Sequence, residues 1–202
     1  MLHDAASVVA ALDLGFVPYL PQQLKQAPQF VYNLGSDDYA DTAVPSSAFV
    51  VYQGHHGDKG AATADVVLPG ASFAEKEGTY VNFEGRVQMT RSAVSPPADA
   101  RDDWKIVRAV AEATGAQLPY DDVDGVQRRL VEVSPTFART RHNAPHAGLW
   151  LNGEYSKTLS GQVNGEPLES SVKVHYMTDA ISRASPTMAR VVKTRSENGV
   201  HI

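Results

Sequence analysis

Residues 52–86 constrain the fold of this 202-residue chain more than any other segment, because closely spaced glycines and acidic residues interrupt short apolar runs there. The run at 64–69 predicts a short buried strand that Pro69-Gly70 ends. Residues 75–86 predict a β-hairpin that turns near residues 83–85, where Gly85 can adopt a positive φ. The segment therefore predicts a strand followed directly by a hairpin.

The rest of the first half favours an α/β fold class, because helical and strand periodicity alternate along it. Residues 5–14 predict a helix that Gly15 ends. Residues 29–34 and 48–52 are apolar on both faces, which is typical of parallel strands that helices cover on either side. We therefore predict a partial doubly wound parallel sheet with a β-hairpin and a C-terminal helical tail.

Two amphipathic helices are predicted after the hairpin. The first, capped by Asp102 or Asp103, runs to about residue 114. The second begins near residue 121 and must end before Pro135, which cannot continue a helix. The side chains expected to face inward are Trp104, Val107, Val110 and Ala111 in the first helix and Val123, Val126, Leu130 and Val133 in the second.

We expect the chain to divide into three parts. Residues 1–135 form the C-terminal part of an α/β domain. Residues 136–171 are polar and rich in Gly, Asn, Ser and Pro, which indicates an irregular surface segment. Residues 172–202 form a tail that begins with a strand at 172–176. The tail continues with a helix at 186–193, which Ser185 caps.

Composition excludes several classes of function. The net charge of −5 argues against a nucleic-acid partner, which would require a clustered basic surface. The main basic concentration, residues 183–195, is interpreted as a solvated helix face. No window approaches the run of about 18 apolar residues that a membrane helix needs, so no direct membrane insertion is expected. The first residues do not resemble a targeting segment.

Two histidine groups have the chemistry of metal ligands but lack the geometry. His55 and His56 precede Asp58, yet adjacent side chains of an extended loop are expected to point apart. His142 and His146 have the spacing of two ligands on one helix face, but the proline between them argues against a regular helix. We expect no metal site and interpret the His55 and His56 imidazoles as hydrogen-bonded to the backbone.

The glycines around Lys59 suggest a phosphate loop only at first sight. Gly54, Gly57 and Gly60 lack the four-residue spacing between glycines, and no Ser or Thr follows the lysine as a metal-phosphate cradle requires. We interpret these glycines as turn formers. No cofactor-binding residue is predicted here.

Three acidic residues, Glu75, Glu77 and Glu84, could supply a carboxylate pair for acid-base chemistry. No nucleophile or oxyanion donor lies near them in sequence. We therefore expect structural ion pairs, either with neighbours of Lys76 or with Arg86. The sequence offers no catalytic residue.

Several segments together resemble the molybdopterin oxidoreductase superfamily. A-D-V-V-L-P at 64–69 and E-K-E-G-T-Y-V-N-F-E-G-R at 75–86 match its pattern A-D-V-x-L-P followed by E-x-x-G-T-x-x-N-x-E-G-R. Within it, the chain is similar to the 75 kDa iron-sulfur subunit of NADH:ubiquinone oxidoreductase, respiratory complex I. The segments that narrow the resemblance are 10–15, 53–58, 101–106 and 176–185.

The resemblance implies a sheet of molybdopterin-oxidoreductase type. It also implies that the full subunit carries 2Fe-2S and 4Fe-4S clusters in a cysteine-rich N-terminal region. This chain contains no cysteine, and protein-held clusters need thiolates. We therefore expect the C-terminal portion of such a subunit, with no cofactor of its own. A bound pterin is not expected either, because complex I subunits resemble that fold without the cofactor.

The function implied is a structural, non-cluster-binding part that supports NADH-to-ubiquinone electron transfer in the peripheral arm of a proton-translocating oxidoreductase. Its partners would be the upstream cluster-bearing part of the subunit and other peripheral-arm subunits, on the matrix side of the mitochondrial inner membrane. One alternative is a C-terminal fragment of a molybdenum or tungsten pterin oxidoreductase such as formate dehydrogenase. The other is a free-standing α/β interaction domain.

The predicted sheet has a further implication. In doubly wound folds, strands from both sides of a sequence midpoint form the sheet, whereas this chain begins with a helix and then supplies two strands of central type. We expect the upstream polypeptide to complete the sheet. Without it, the edges at 30–34 and 49–52 would lie open, and the chain would be aggregation-prone or partly molten.

Overall fold

The computed structural model describes residues 6–16, 26–37, 44–57, 59–139, 165, 167, 174 and 176–197. Helices and strands alternate along these residues, so the predicted α/β class is confirmed. The strands are β1 Phe30–Leu34, β2 Phe49–Gly54, β3 Val66–Pro69, β4 Gly78–Val81 and β5 Val87–Thr90. The helices are α1 Val8–Asp13, α2 Lys59–Ala62, α3 Asp103–Ala113, α4 Val123–Val133, α5 Ala180–Ala184 and α6 Pro186–Glu197, with a 3-10 helix at Pro135–Arg139.

The first three strands form a parallel sheet in the order β1-β2-β3. Phe30 lies beside Phe49 at its start, and β3 joins with Val66 beside Val51. The carboxyl ends of all three strands therefore meet at one edge. The predicted parallel pairing is confirmed, whereas the doubly wound arrangement stays a prediction.

The described residues cover this sheet less completely than expected. Phe30 and Phe49 stack with ring centroids 6.3 Å apart, yet they are 55% and 49% exposed. Leu34 and Val67 are exposed as well. The expectation that helices cover both faces of these strands is therefore wrong within the described residues. Burial concentrates in residues 50–53 of β2, the strand with a partner on each side.

The predicted hairpin is confirmed as the antiparallel pair β4 and β5. Asn82 closes its turn, since Oδ1 accepts hydrogen bonds from the Glu84 and Arg86 amides at 3.0 and 2.9 Å. Gly85 has a φ of 77°, which glycine adopts without the steric cost of a Cβ. The Asn82 side chain and the backbone freedom of Gly85 thus fix the turn together.

The apolar core packs this hairpin against one helix that precedes it in sequence and one that follows it. Its buried members are Ala10 of α1, Val81 of β4, Val87 of β5 and Phe137 of the 3-10 helix. Phe137 is only 1% exposed. Phe137 therefore differs from the surface position expected within 136–171, because its ring packs within this core. Most of residues 140–171 lie outside the described part.

Both helices predicted after the hairpin are present, with small differences in packing. Asp122 caps α4 by accepting a hydrogen bond from the Gly125 amide at 2.6 Å, and Gly115 follows α3 with a φ of 83°. The predicted inward side chains of α3 are only half-buried. Val133 is 51% exposed rather than inward, because it lies in the last turn of α4.

The described part of the tail contains two consecutive helices. Asp179 caps α5 by accepting hydrogen bonds from the Ile181 and Ser182 amides at 2.9 and 3.0 Å. Ser185 caps α6, as predicted, by accepting from the amide three residues later at 3.3 Å. The helix α5 was not predicted, and the predicted strand at 172–176 lies mostly outside the described residues.

Candidate functional site

A network of polar side chains lies on one face of the parallel sheet, near its carboxyl edge. Its centre is Gln53 of β2, which has no exposed surface. The Tyr32 hydroxyl of β1 donates to Gln53 Oε1, and Gln53 Nε2 donates to Asp103 Oδ1 at 2.8 Å. Lys76 forms an ion pair with the other carboxylate oxygen of Asp103. The network ties two strands to the start of α3 and to the segment before the hairpin.

The electrostatics of this network keep Tyr32 in its neutral, donating form. Partial burial raises the pKa of the Tyr32 hydroxyl, and the negative charge of Asp103 raises it further. A neutral phenol can donate to the Gln53 carbonyl oxygen, whereas a phenolate cannot. The neutral phenol therefore helps to hold β1 against β2.

The opposite face of the same edge is organised around Asp37, which follows β1 and is 6% exposed. Its Oδ1 accepts a hydrogen bond from the Gly60 amide at 2.8 Å. The Tyr52 hydroxyl lies 3.4 Å from Oδ2 and 3.1 Å from the His56 carbonyl oxygen. The Arg183 guanidinium of α5 lies 3.6 Å from the same Oδ2. A buried carboxylate is thus neutralised from the C-terminal part of the chain.

Two of the glycines from the suspected phosphate loop allow close packing within the chain. A Cβ on Gly60 would lie 2.8 Å from both Asp37 Oδ1 and the Ser36 carbonyl oxygen. A Cβ on Gly54 would lie 2.4 Å from the Tyr52 hydroxyl. Gly54 belongs to β2 and Gly60 to α2, so their interpretation as turn formers is wrong. Both glycines make room for neighbouring protein atoms.

The His55 and His56 rings contact each other, so the expectation that they point apart is wrong. Their Nδ1 atoms are 2.7 Å apart, and the rings meet edge to face with centroids 5.0 Å apart. One nitrogen must donate and the other accept, so a single proton lies between them. Partial burial lowers the pKa of His55, as do His56 and Lys76, while nearby carboxylates oppose this shift.

In the part of the chain that the structure describes, no group of three or more His, Asp or Glu side chains is placed to hold a metal ion. The histidine pair therefore lacks a third ligand from those residues. The predicted-site residues that lie outside the described part are Asp58, His142 and His146.

Glu75, one of the three acidic residues for which ion pairs were predicted, is hydrogen-bonded to the backbone. Glu75 Oε2 accepts a hydrogen bond from the Ser72 amide at 2.8 Å and so closes a turn. Lys76 forms an ion pair with Asp103, which lies beyond the hairpin in sequence. The position of Asp103 at the start of α3 explains why the partner was not found among sequence neighbours.

The basic segment 183–195 is not uniformly solvated. Arg183 is paired with Asp37, and its side chain is 23% exposed. The Arg195 guanidinium lies 5.1 Å from the centre of the Tyr176 ring, a cation–π distance. The interpretation of this segment as a purely solvated helix face is therefore wrong for its first residue.

A cleft of about 900 Å³ lies between the hairpin entrance, the loop at 92–102 and the first turns of α3 and α4. Its lysines are paired within the protein: Lys76 with Asp103, and Lys105 with Asp102 at 2.6 Å. Its lining includes the hydroxyls of Ser92 and Ser95 and several carboxylates, but no described hydrogen bond joins one of these serines to a carboxylate. Within the described residues, the cleft is a polar surface groove.

Sequence reasoning missed the pairing of Asp37 with Arg183 and the central position of Gln53. One signal was present for Gln53, since an amide inside a run predicted to be buried must find hydrogen-bond partners. Asp37 gave no comparable signal, because an acidic residue after a strand is also typical of an exposed loop.

Two known protein-family models match this chain. A family model described as molybdopterin oxidoreductase matches residues 1–113, which is more than half of the chain. The chain belongs to the molybdopterin oxidoreductase family. A second model, which describes the C-terminal region of an NADH-ubiquinone oxidoreductase component, matches residues 144–191. This molybdopterin oxidoreductase family member therefore resembles complex I proteins in its tail as well.

Curated relatives support the narrower resemblance. The chain is 48% identical over 198 residues to the mitochondrial NADH-ubiquinone oxidoreductase 78 kDa subunit of Candida albicans, covering 96% of the chain and 27% of that protein. It is 45% identical over 185 residues to the mitochondrial NADH dehydrogenase [ubiquinone] iron-sulfur protein 1 of Solanum tuberosum, covering 92% and 24%. It is 39% identical over 195 residues to the NADH-ubiquinone oxidoreductase 75 kDa subunit of Reclinomonas americana, covering 94% and 28%. The resemblance is confirmed, and the chain spans about a quarter of the length of these relatives.

The described residues of this molybdopterin oxidoreductase family member do not fit a pterin cofactor. Ligands of open α/β sheets bind at the carboxyl ends of the strands, and here that edge is lined by Gln53, Tyr52 and Asp37. The Asp37 carboxylate is already paired with Arg183, and protein atoms fill the space beside Gly54 and Gly60 where a cofactor could otherwise approach the backbone. An iron-sulfur cluster does not fit either, since the chain has no thiolate.

Proposed function

We propose that the chain is a structural, non-cluster-binding part of a complex I subunit of the 75 kDa type, which supports NADH-to-ubiquinone electron transfer in the peripheral arm. The observation behind this proposal is the 48% identity over 96% of the chain to a mitochondrial NADH-ubiquinone oxidoreductase subunit. The match of the tail to the NADH-ubiquinone oxidoreductase model supports it independently. The chain itself performs no electron transfer in this proposal.

The geometry of the sheet edge supports a bracing role. The chain of contacts from Tyr32 through Gln53 and Asp103 to Lys76 joins four segments, and its central amide is fully buried. Such a satisfied polar network fixes the relative position of the elements that it joins. A rigid scaffold with no open ligand edge suits a part that holds a neighbouring polypeptide in place.

The partners in this proposal are the cluster-bearing part of the subunit and other peripheral-arm subunits. Apolar side chains at the sheet, among them Phe30, Phe49 and Val67, remain open to contact within the described residues. The cluster-bearing part covers them and adds strands, which completes the doubly wound sheet. In this proposal the α/β domain covers residues 1–135, the irregular surface segment residues 136–171, and the tail residues 172–202.

The proposed location is the matrix side of the mitochondrial inner membrane, as part of the peripheral arm. The relatives from Candida albicans and Solanum tuberosum are mitochondrial proteins by name. No helix among the described residues is both long and apolar enough to cross a bilayer. In this proposal, other subunits attach the chain to the membrane.

Native electrophoresis of membranes from the source organism tests this function. The bands are stained for NADH dehydrogenase activity, and the active band is analysed by mass spectrometry. We expect peptides of this chain in that band, together with peptides of a cysteine-rich region whether on the same polypeptide or another. A matched gel of the soluble fraction serves as the control.

Two outcomes would contradict the proposal. Recovery of the chain only as a free monomer in the soluble fraction would favour the interaction domain. Recovery in a band that contains stoichiometric molybdenum or tungsten, with no NADH dehydrogenase activity, would favour a pterin oxidoreductase.

A further inference from the structure

The ion pair between Asp37 and Arg183 connects segments that are far apart in sequence. Asp37 follows β1 within the part matched by the molybdopterin oxidoreductase model, whereas Arg183 belongs to α5 within the part matched by the NADH-ubiquinone oxidoreductase model. Arg183 Nη2 lies 3.6 Å from Asp37 Oδ2. This contact brings the tail to the carboxyl edge of the parallel sheet.

The local structure of α5 positions the arginine. Asp179 caps the helix by accepting hydrogen bonds from the backbone amides of Ile181 and Ser182, and the Ser182 hydroxyl donates to its other carboxylate oxygen. A capped N-terminus fixes the first turn of a short helix that would otherwise fray. Arg183 lies in the next turn, so its backbone has a defined position from which to reach Asp37.

The environment of Asp37 makes the arginine more than a surface contact. The Asp37 side chain is 2% exposed, and its hydrogen-bond partners within the described residues, the Gly60 amide and the Tyr52 hydroxyl, are uncharged. A buried carboxylate without an opposite charge is strongly unfavourable. The Arg183 guanidinium supplies that charge. Breaking the ion pair would therefore destabilise the sheet edge around Asp37 as well as the attachment of the tail.

The described tail makes other contacts as well. No residue of α5 or α6 is fully buried, although Ile181 of α5 and Met188, Val191 and Val192 of α6 are partly buried. Ion pairs on the surface of α6, such as Lys193 with Glu197 at 3.9 Å, lie within the helix itself. The contact with Asp37 is the described ion pair that joins these helices to the parallel sheet.

We propose that Arg183 is a latch that holds α5 and α6 as a strap across the carboxyl edge of the parallel sheet. When the latch is closed, the strap covers Asp37 at the position where open α/β sheets receive ligands. When it opens, both helices separate from the sheet together, because α6 follows α5 after a single residue. This inference does not depend on the proposed function.

Hydrogen exchange measured by mass spectrometry tests the latch on the full chain, purified with any polypeptides that bind it. We expect Arg183→Ala to speed exchange of amides at 179–197 by about tenfold or more, because local opening becomes easier. The matched control is Arg190→Ala, which removes the same charge from an exposed position in α6. We expect the control to leave exchange unchanged.

A second variant covers the case in which the unpaired charge of Asp37 disturbs folding. Asp37→Asn removes that charge and keeps an oxygen that can accept from the Gly60 amide, so the sheet should fold while the strap loosens. We also expect the double variant Asp37→Asn/Arg183→Ala to exchange no faster than Arg183→Ala alone, since both remove one interaction. Three results would overturn the latch. The exchange rate at 179–197 could be unchanged in both Arg183→Ala and Asp37→Asn, or the Arg190→Ala control could raise it as much as Arg183→Ala does. The effects of the two single variants could also add up in the double variant.

Discussion

At the scale of single residues, Gly60 shows how tightly the polar edge is packed. Its amide donates to the buried Asp37 carboxylate at 2.8 Å, and the space where a Cβ would stand is already occupied by that oxygen and by the Ser36 carbonyl. Gly57, three residues earlier, has no atom within 4 Å of the corresponding position. The structure therefore leaves no room for a side chain at Gly60, whereas it leaves open space for one at Gly57.

We expect Gly60→Ala to destabilise the protein by about 1–3 kcal/mol, the usual cost of inserting a methyl group into a packed site. Backbone oxygen at Ser36 cannot move aside without shifting the end of β1. The change in free energy of unfolding can be measured by urea denaturation of the full chain. Gly57→Ala is the matched control and should differ from the original protein by less than about 0.5 kcal/mol. Equal losses in both variants would show that the packing around Gly60 is not the cause.

The histidine pair predicts a pH dependence of stability. The pKa of His55 in the folded protein lies below its ordinary value of 6.5, because partial burial, His56 and Lys76 disfavour its charged form. As the pH falls below 6.5, the unfolded chain binds a proton that the folded chain resists, so the stability decreases and then levels off below the folded pKa. The stability should be unaffected above that window. Because burial of the His55 side chain is only partial, solvent screening keeps the effect small.

Denaturation midpoints between about pH 5 and pH 7.5 test this linkage on the original protein and on His55→Gln. The variant should show a weaker loss of stability at low pH. A steeper loss in the variant would mean that His55 takes up its proton more readily in the folded state, contrary to the geometry of the pair.

At the scale of elements, the 3-10 helix at Pro135–Arg139 and the helix α5 could not be predicted from the sequence. Both helices are too short for a periodic pattern, and each makes a contact with a residue distant in sequence. Phe137 of the 3-10 helix packs in the apolar core, and Arg183 of α5 pairs with Asp37. The hairpin and the parallel strands were predictable, because Gly85 and the apolar runs specify them locally. The exposed rings at the sheet were not predictable, since a sequence pattern cannot show which polypeptide covers a face.

The 3-10 helix contributes to stability through one side chain. We expect Phe137→Ala to cost about 3–5 kcal/mol, because it leaves a cavity between α1 and the hairpin. Phe73, which is 56% exposed, provides a matched control, and Phe73→Ala should have little effect. Urea denaturation of both variants measures the difference. A loss below about 1 kcal/mol for Phe137→Ala would argue that residue 137 belongs to the surface segment after all.

At the scale of the whole molecule, the family was identifiable from two motifs, while the polar edge was not. The motifs at 64–69 and 75–86 are contiguous and therefore visible in the sequence. The contacts of Gln53 with Asp103 and of Asp37 with Arg183 join residues that only the fold brings together. Composition alone argued against an iron-sulfur cluster, because the chain contains no cysteine. Which residues close the sheet edge required the three-dimensional arrangement.

The strand order β1-β2-β3 has a consequence for how the protein is made. Both β2 and β3 pair with the strand synthesised just before them, so a ribosome delivers these strands in the order in which they pair. The sheet can therefore grow one strand at a time during translation. Arg183 is synthesised long after all three strands, so the Asp37 carboxylate must wait for its counter-charge until translation has almost reached α6.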